Sequence, residues 1–220
     1  MNAGIFVVFE GIDGAGKTTQ IQRLAGALRQ LGEDLVCSRE PTGGYWGRRL
    51  RDSATSGRMP LDQELAAFIA DRKEHLQDVI QPAVARGAMV IVDRYFYSTI
   101  AYQGARGGDV AAITREMESF APIPDIVLLI DIDPELATRR IADSRGEMPN
   151  QFERADYLAQ VRRIFHELAR RPEVRLINGQ QSADAVFSDV CRALIQGPLA
   201  EKRAHRRYDA AALQQASTAS

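Results

Sequence analysis

The residues best suited to chemistry stand near the start of the chain. Gly11-Ile12-Asp13-Gly14-Ala15-Gly16-Lys17-Thr18 fits the pattern G-x-x-x-x-G-K-[ST]. Glycines at this spacing let the chain curl so that successive backbone N–H groups face one concavity, and a following helix points its positive dipole end there too. Lys17 can then reach the β- and γ-phosphates of a nucleoside triphosphate, and the Thr18 hydroxyl can ligate Mg²⁺. Average composition gives such a match by chance in about 1% of chains of this length, so the motif points to a bound triphosphate. It leaves the fate of the γ-phosphate open.

Such a loop works only between a strand and a helix. Ile5-Phe6-Val7-Val8-Phe9 before it reads as a buried strand. After it, Ile21, Leu24, Ala25, Leu28 and Leu31 recur at helical spacing until Gly32 stops them. Leu35-Val36-Cys37 predicts a second strand. The segment from Leu61 to Arg86 predicts a helix with Leu65, Phe68, Ile69, Leu76, Val79 and Ile80 on one face and a bend near Pro82. Met89-Val90-Ile91-Val92 and Ile126-Val127-Leu128-Leu129-Ile130 are unalternating apolar runs, as in parallel strands covered on both faces. Val174-Arg175-Leu176-Ile177 predicts a fifth strand, and a closing helix from about Ser182 turns Ala183, Val186, Phe187, Val190 and Leu194 inward. The expected fold is α/β: a doubly wound, parallel, five-stranded sheet with helices on both faces. It forms one domain over residues 1–197. From Pro198 to Ser220 the periodicity fades into small polar residues, which predicts a frayed tail.

Composition narrows the partners. The chain has 28 basic and 29 acidic residues among its 220, a net charge of -1, so no global field draws it to a nucleic acid polymer or an anionic membrane. No apolar run approaches membrane-spanning length, and Met1 to Gly11 lacks the pattern of a secretory signal. Cys37 and Cys191 make neither a metal cluster nor a disulfide framework; they suit a reducing cytoplasm as small core residues. His75, His166 and His205 are scattered and receive no role.

Further candidates follow the third and fourth strands. Asp93-Arg94-Tyr95 lies where such sheets bind ligands, so Asp93 could orient Mg²⁺ or its waters and Arg94 hold an anion. Taken alone, the tripeptide equally fits a strand-terminal ion pair. Arg139, Arg140 and Arg145, followed by Gly146-Glu147-Met148-Pro149-Asn150, have the form of a closing lid around 139–152, although arginines on a helix are commonly a solvated face. The variable positions of the glycine-rich loop carry no extra cation, so charge on a transferred phosphoryl must be met from elsewhere.

FEGIDGAGKTTQ, REPTGG, FIADR, DRYFYSTIAYQG and SRGE, in this order from about Ile5 to Leu194, resemble the thymidylate kinase family of P-loop nucleoside monophosphate kinases. The resemblance implies transfer of the γ-phosphoryl of ATP to dTMP with Mg²⁺, in line and without a covalent intermediate, by a homodimer joined through helices. It implies that residues Gly11 to Thr18, with Arg139 and Arg140, serve ATP, and that Thr18 and Asp93 serve the metal. Lys17, Arg94, Arg145 and Asp13 would act at the reacting groups, with Asp13 on the acceptor's phosphate and sugar side. Arg39, Glu40 and Pro41 would line the acceptor cleft, with Arg51 nearby. Phe68 would stack on thymine and Arg72 bond its O4; four residues apart, they share one helix face. Ser98, Thr99, Tyr102 and Gln103 would border base and sugar, Tyr102 crowding a 2′-hydroxyl. Without the resemblance, Phe68 and Tyr102 read as core aromatics.

The chain departs from the family pattern in two places. Tyr45 and Trp46 are bulky for their position after REPTGG, and MPNQFER has no arginine between Glu147 and Phe152. Two other readings stay open. A kinase for another nucleotide or a deoxynucleoside uses the same fold, but a nucleoside acceptor needs a general base where a monophosphate needs a cation. A GTPase-like switch would carry N-K-x-D after a strand, where this chain has Asp131-Ile132-Asp133-Pro134.

Overall fold

The five apolar runs become strands β1 (Ile5–Glu10), β2 (Leu35–Arg39), β3 (Met89–Asp93), β4 (Ile126–Asp131) and β5 (Val174–Asn178) of one parallel sheet, in the order β2-β3-β1-β4-β5. The structure is a computed structural model that describes residues 4–145, 151–202 and 208–218, without the side chains of residues 55, 144, 145, 151–154 and 218. Every residue of β1 is buried, and so are the first four of β3 and the first five of β4. Side chains alternate between faces along a strand, so both faces of the central sheet are covered by helices. The register sets Phe9 and Arg39 level with Asp93, and Glu10 level with Leu129. Three chemistry-bearing loops therefore leave the sheet at one edge.

The helices are α1 (Lys17–Gln30), α2 (Tyr45–Ser56), α3 (Leu61–His75), α4 (Gln81–Ala85), α5 (Phe96–Ala105), α6 (Val110–Glu118), α7 (Pro134–Arg145), α8 (Gln151–Leu168) and α9 (Ala183–Gln196). The long helix bends earlier than expected: α3 widens into a π-helical turn over Leu76–Ile80 before α4 resumes. Pro82 has no N–H to give residue 78, and its ring needs room there, so the turn ahead of it opens.

The tail departs from its composition. In place of a frayed end, α10 (Pro198–Lys202) and α11 (Ala210–Thr218) are helical, with Leu199 and Leu213 fully buried. Helix α11 packs on α1 and α9. The Tyr208 hydroxyl donates to Glu33 Oε1 at 2.6 Å, and Lys202 pairs with Asp125 at 2.7 Å. Too few apolar residues stand here to show a period, but they are enough to cover an apolar strip that the domain offers. Residues 203–207 lie outside the described residues. Cys191 is in the core as expected, whereas Cys37, on edge strand β2, is exposed.

Candidate active site

The first loop is pressed against its neighbours. Gly11 and Gly14 have φ of 137° and 80°, and a Cβ on them would stand 2.4 Å from the Ile130 carbonyl oxygen and 2.5 Å from that of Ala137. Gly16, also left-handed, starts α1 with no side-chain cap, which leaves the first-turn N–H groups to an outside acceptor. Lys17 is buried, its Nζ donating to the carbonyls of Gly11 at 3.0 Å and Ile12 at 3.1 Å. Burial, with the nearby Arg94 charge, pushes its pKa down to about 8. The Thr18 hydroxyl donates to Asp93 Oδ2 at 3.2 Å, and Asp93 Oδ1 is buried without a partner.

A second cleft opens beside the first. Helix α3 presents Phe68 and Arg72 to it, and α5 presents Ser98, Thr99, Tyr102 and Gln103. Glu40, Pro41, Asp13 and Arg94 complete the wall. Arg94 sits in left-handed backbone, φ 68°, which costs a non-glycine residue strain of about 1 kcal/mol or more. That twist delivers its guanidinium to Asp13 Oδ1 at 2.8 Å, Ser98 Oγ at 2.9 Å and the Tyr102 hydroxyl at 3.3 Å. The Arg94 guanidinium is the main reason that the Asp13 carboxyl is held down at about 2. Burial raises the Tyr102 phenol, so it stays protonated and donates to Asp13 Oδ2 at 3.1 Å.

Glu10, fully buried at the end of β1, sets this arrangement from behind. It accepts from the backbone N–H of Tyr95 at 2.8 Å and of Ser98 at 3.1 Å, the start of α5, which no local side chain caps. Ser98 Oγ donates its one proton to Glu10 Oε2 at 2.5 Å, so toward Arg94 it can only accept. Burial raises the Glu10 pKa.

The triphosphate-side cleft and the second cleft share Asp13, Glu40, Pro41 and Arg94. A site built this way can hold two anionic groups end to end across Asp13 and Arg94. A family model described as thymidylate kinase matches residues 9–190. The chain belongs to the thymidylate kinase family. A thymidylate kinase of Desulfotalea psychrophila is 47% identical over 190 residues, 86% of this chain and 93% of that protein. One from Xylella fastidiosa is 46% identical over 185 residues, 84% of each. The crystal structure of thymidylate kinase from Ehrlichia chaffeensis superposes with a TM-score of 0.70 at 30% identity, covering 87% of this chain and 99% of that one.

Against that family, the residues expected at the acceptor fall into two groups. Glu40, Pro41, Phe68, Arg72, Arg94, Ser98, Thr99, Tyr102 and Gln103 line the second cleft together. Arg39 and Arg51 line the cleft around Lys17, together with Asp13, Glu40, Pro41 and Arg94; Arg39 is exposed, and Arg51 donates to the Pro41 carbonyl at 2.8 Å. Of the two adjacent arginines on α7, Arg140 lines the triphosphate cleft, its Nη2 donating to the Gly179 carbonyl at 3.3 Å. Arg139 is exposed and does not line it, because neighbours on a helix point about 100° apart. Arg145 ends α7 with its side chain outside the described residues, as residues 146–150 are altogether. Of the two bulky residues expected to trouble the acceptor loop, Tyr45 is exposed and Trp46 half-buried, their rings 5.0 Å apart.

Sequence reasoning missed Glu10, Asp71, His75 and Arg58. Asp71 fixes the turn after β2 by accepting from the Thr42 N–H at 2.8 Å and hydroxyl at 2.6 Å. Arg58 lines the second cleft and is paired with Glu64 at 3.1 Å. A carboxylate closing an otherwise apolar strand was the visible signal for Glu10. For Asp71 and His75 it was their place three and seven residues after Phe68, on the same helix face.

Proposed function

We propose that this chain transfers the γ-phosphoryl of ATP to the phosphate of dTMP, giving dTDP and ADP. The observation that carries this reading is the pair of clefts meeting at Asp13 and Arg94. ATP phosphates occupy the loop of Gly11, Ile12, Asp13, Gly14, Ala15, Gly16, Lys17 and Thr18, with Arg140 alongside. The acceptor phosphate lies at Arg94, whose backbone strain and three partners pre-set its guanidinium. Phe68 stacks on the base, Arg72 bonds its O4, and Tyr102 crowds the 2′ position. Gln103 Nε2, buried without a partner, adds a donor there.

A phosphate monoester is already an anionic nucleophile at neutral pH, so no general base is required. What remains is to align two anions and offset their charge. Lys17, Arg94 and the arginines of a lid over 139–152, Arg145 among them, supply that offset. The buried, unpartnered Asp93 Oδ1 and the Thr18 hydroxyl fit Mg²⁺, which takes one or two carboxylates together with phosphate oxygens. When bound there, Mg²⁺ would offset charge that develops on the phosphates. A cytoplasmic homodimer is the form we propose; the unbridged Cys37 and Cys191 suit a reducing compartment. No helix among the described residues is long and apolar enough to cross a membrane.

Steady-state rates with ATP and a panel of nucleoside monophosphates, read through ADP release, test the reading. A marked preference for dTMP over dCMP and dGMP is expected; equal rates would overturn it. Arg72→Ala should raise KM for dTMP by about tenfold or more, in the range of a lost charged hydrogen bond, and move KM for ATP little.

Nucleotide binding should also take up protons. The folded chain without nucleotide holds the Lys17 proton less tightly than an exposed lysine, about 8 against 10.5. Triphosphate oxygens restore the preference for the charged form. At pH 8, ATP binding is then expected to take up about half a proton, and affinity should fall as pH rises from 8 toward 10. Calorimetry in buffers of different ionisation enthalpy measures this; no uptake at pH 8 would contradict the placement of Lys17 on the phosphates.

A further inference from the structure

Behind the acceptor cleft runs a buried relay that phosphoryl transfer itself does not require. Arg72 is 1% exposed, so its orientation is set by its partners. Its Nε and Nη2 both donate to Glu40 Oε2, at 2.9 Å and 2.6 Å. Nη2 also donates to Thr99 Oγ1 at 3.0 Å, and Nη1 approaches Met117 Sδ at 2.9 Å. Of the five N–H groups of a guanidinium, these contacts leave one, on Nη1. The Tyr95 ring lies 5.2 Å from the guanidinium carbon and limits its tilt.

Glu40 is fixed in turn. Its second oxygen, Oε1, meets His75 Nδ1 at 3.0 Å, and His75 Nε2 meets Ser38 Oγ at 2.8 Å. A carboxylate only accepts, so Nδ1 carries the hydrogen; in the neutral ring the Ser38 hydroxyl then donates to Nε2 and sets that tautomer. His75 and Glu40 are both buried. Phe68, Arg72 and His75 are spaced four and three residues apart along α3, so the stacking ring, the guanidinium and the imidazole share one stripe.

We propose that His75 is a positioning residue for base selection: through Glu40 it holds Arg72 in the one orientation that offers its remaining N–H to a pyrimidine carbonyl at C4. The proposal rests on the second cleft being the dTMP site. A donor held there favours thymine, whose C4 carries an acceptor, over cytosine, whose C4 carries an amino group. Without a donor on Oε1, a buried carboxylate oxygen is orphaned, Glu40 turns to seek a partner, and Arg72 turns with it.

Two substitutions of similar polarity separate positioning from packing. Asparagine puts an amide N–H near the Nδ1 position, whereas glutamine reaches the Nε2 position and keeps only the Ser38 side of the relay. His75→Gln is expected to lower the kcat/KM ratio of dTMP to dCMP about tenfold, through KM for dTMP, with KM for ATP unchanged; His75→Asn should retain most of the ratio. A wild-type ratio in His75→Gln, or equal losses in both variants, would overturn the proposal. Should His75→Gln fail to fold, His75→Leu, which likewise leaves Glu40 Oε1 without a donor, takes its place, and an unaltered ratio there would count against the proposal equally. Wild-type protein that does not favour dTMP sinks the reading of the cleft; wild-type preference with an unmoved His75→Gln sinks only the role of His75.

Discussion

Lys17→Met is expected to lower kcat about a thousandfold, the scale of removing a preorganised charge from a transition state, while leaving the affinity for dTMP near wild type. No other residue of the loop from Gly11 to Thr18 is a cation, so no side chain within the loop can substitute. The cleft proposed for dTMP is lined from α3, α5 and Arg94, and Lys17 does not line it. Methionine has nearly the length of lysine and no charge to bury. Since the buried Lys17 holds its proton poorly, at about 8, the variant should melt no lower than the parent. Single-turnover rates, dTMP titration and a thermal melt check the three parts. Wild-type kcat in this variant would remove Lys17 from the reaction, and lost dTMP binding would mean that the clefts are coupled through it.

Arg94→Met should be nearly as damaging, but on the other substrate. Loss of about a thousandfold in kcat/KM for dTMP is expected, close to 4 kcal/mol of transition-state binding. Two effects add. The guanidinium proposed to face the acceptor phosphate disappears, and Asp13, whose carboxyl Arg94 holds down at about 2, loses its ion-pair partner and stays as a negative charge at the same place. KM for ATP should move far less, because backbone N–H groups and Lys17 hold the triphosphate. Arg94→Gly serves as a control. It removes the same charge yet relieves the φ of 68°, so it should be the more stable of the two variants and equally inactive. Equal changes in KM for both substrates would show that Arg94 acts on the whole site rather than on the acceptor.

Much of this site is legible along the chain because its parts are local. The glycine-rich loop is eight consecutive residues, and its strand and helix adjoin it. Phe68 and Arg72 are one helical turn apart, and Ser98, Thr99, Tyr102 and Gln103 fall on adjacent rows of α5, so regular geometry already groups each set. Where the sequence left an arrangement open, the deciding contact was long-range or one of direction. Arg139 and Arg140 are alike in sequence, and only the docking of α7 decides which faces the cleft. Arg39 ends β2 and Arg51 lies on α2, and only the packing of these elements brings both to the cleft around Lys17. The tail holds its helices by burying Leu199 and Leu213 against a domain completed earlier in the chain.

Apolar runs and their periods, being properties of consecutive residues, determined five strands, their parallel class and the nature of the phosphate loop. Only the folded chain decided that Glu10, 85 residues from Tyr95, caps α5 and orients Ser98, or that Glu40, 32 residues from Arg72 and 35 from His75, ties the two together. Hydrogen bonds and ion pairs act over about 3 Å. Which groups come within that reach depends on strand order and helix docking, and no window of sequence contains either.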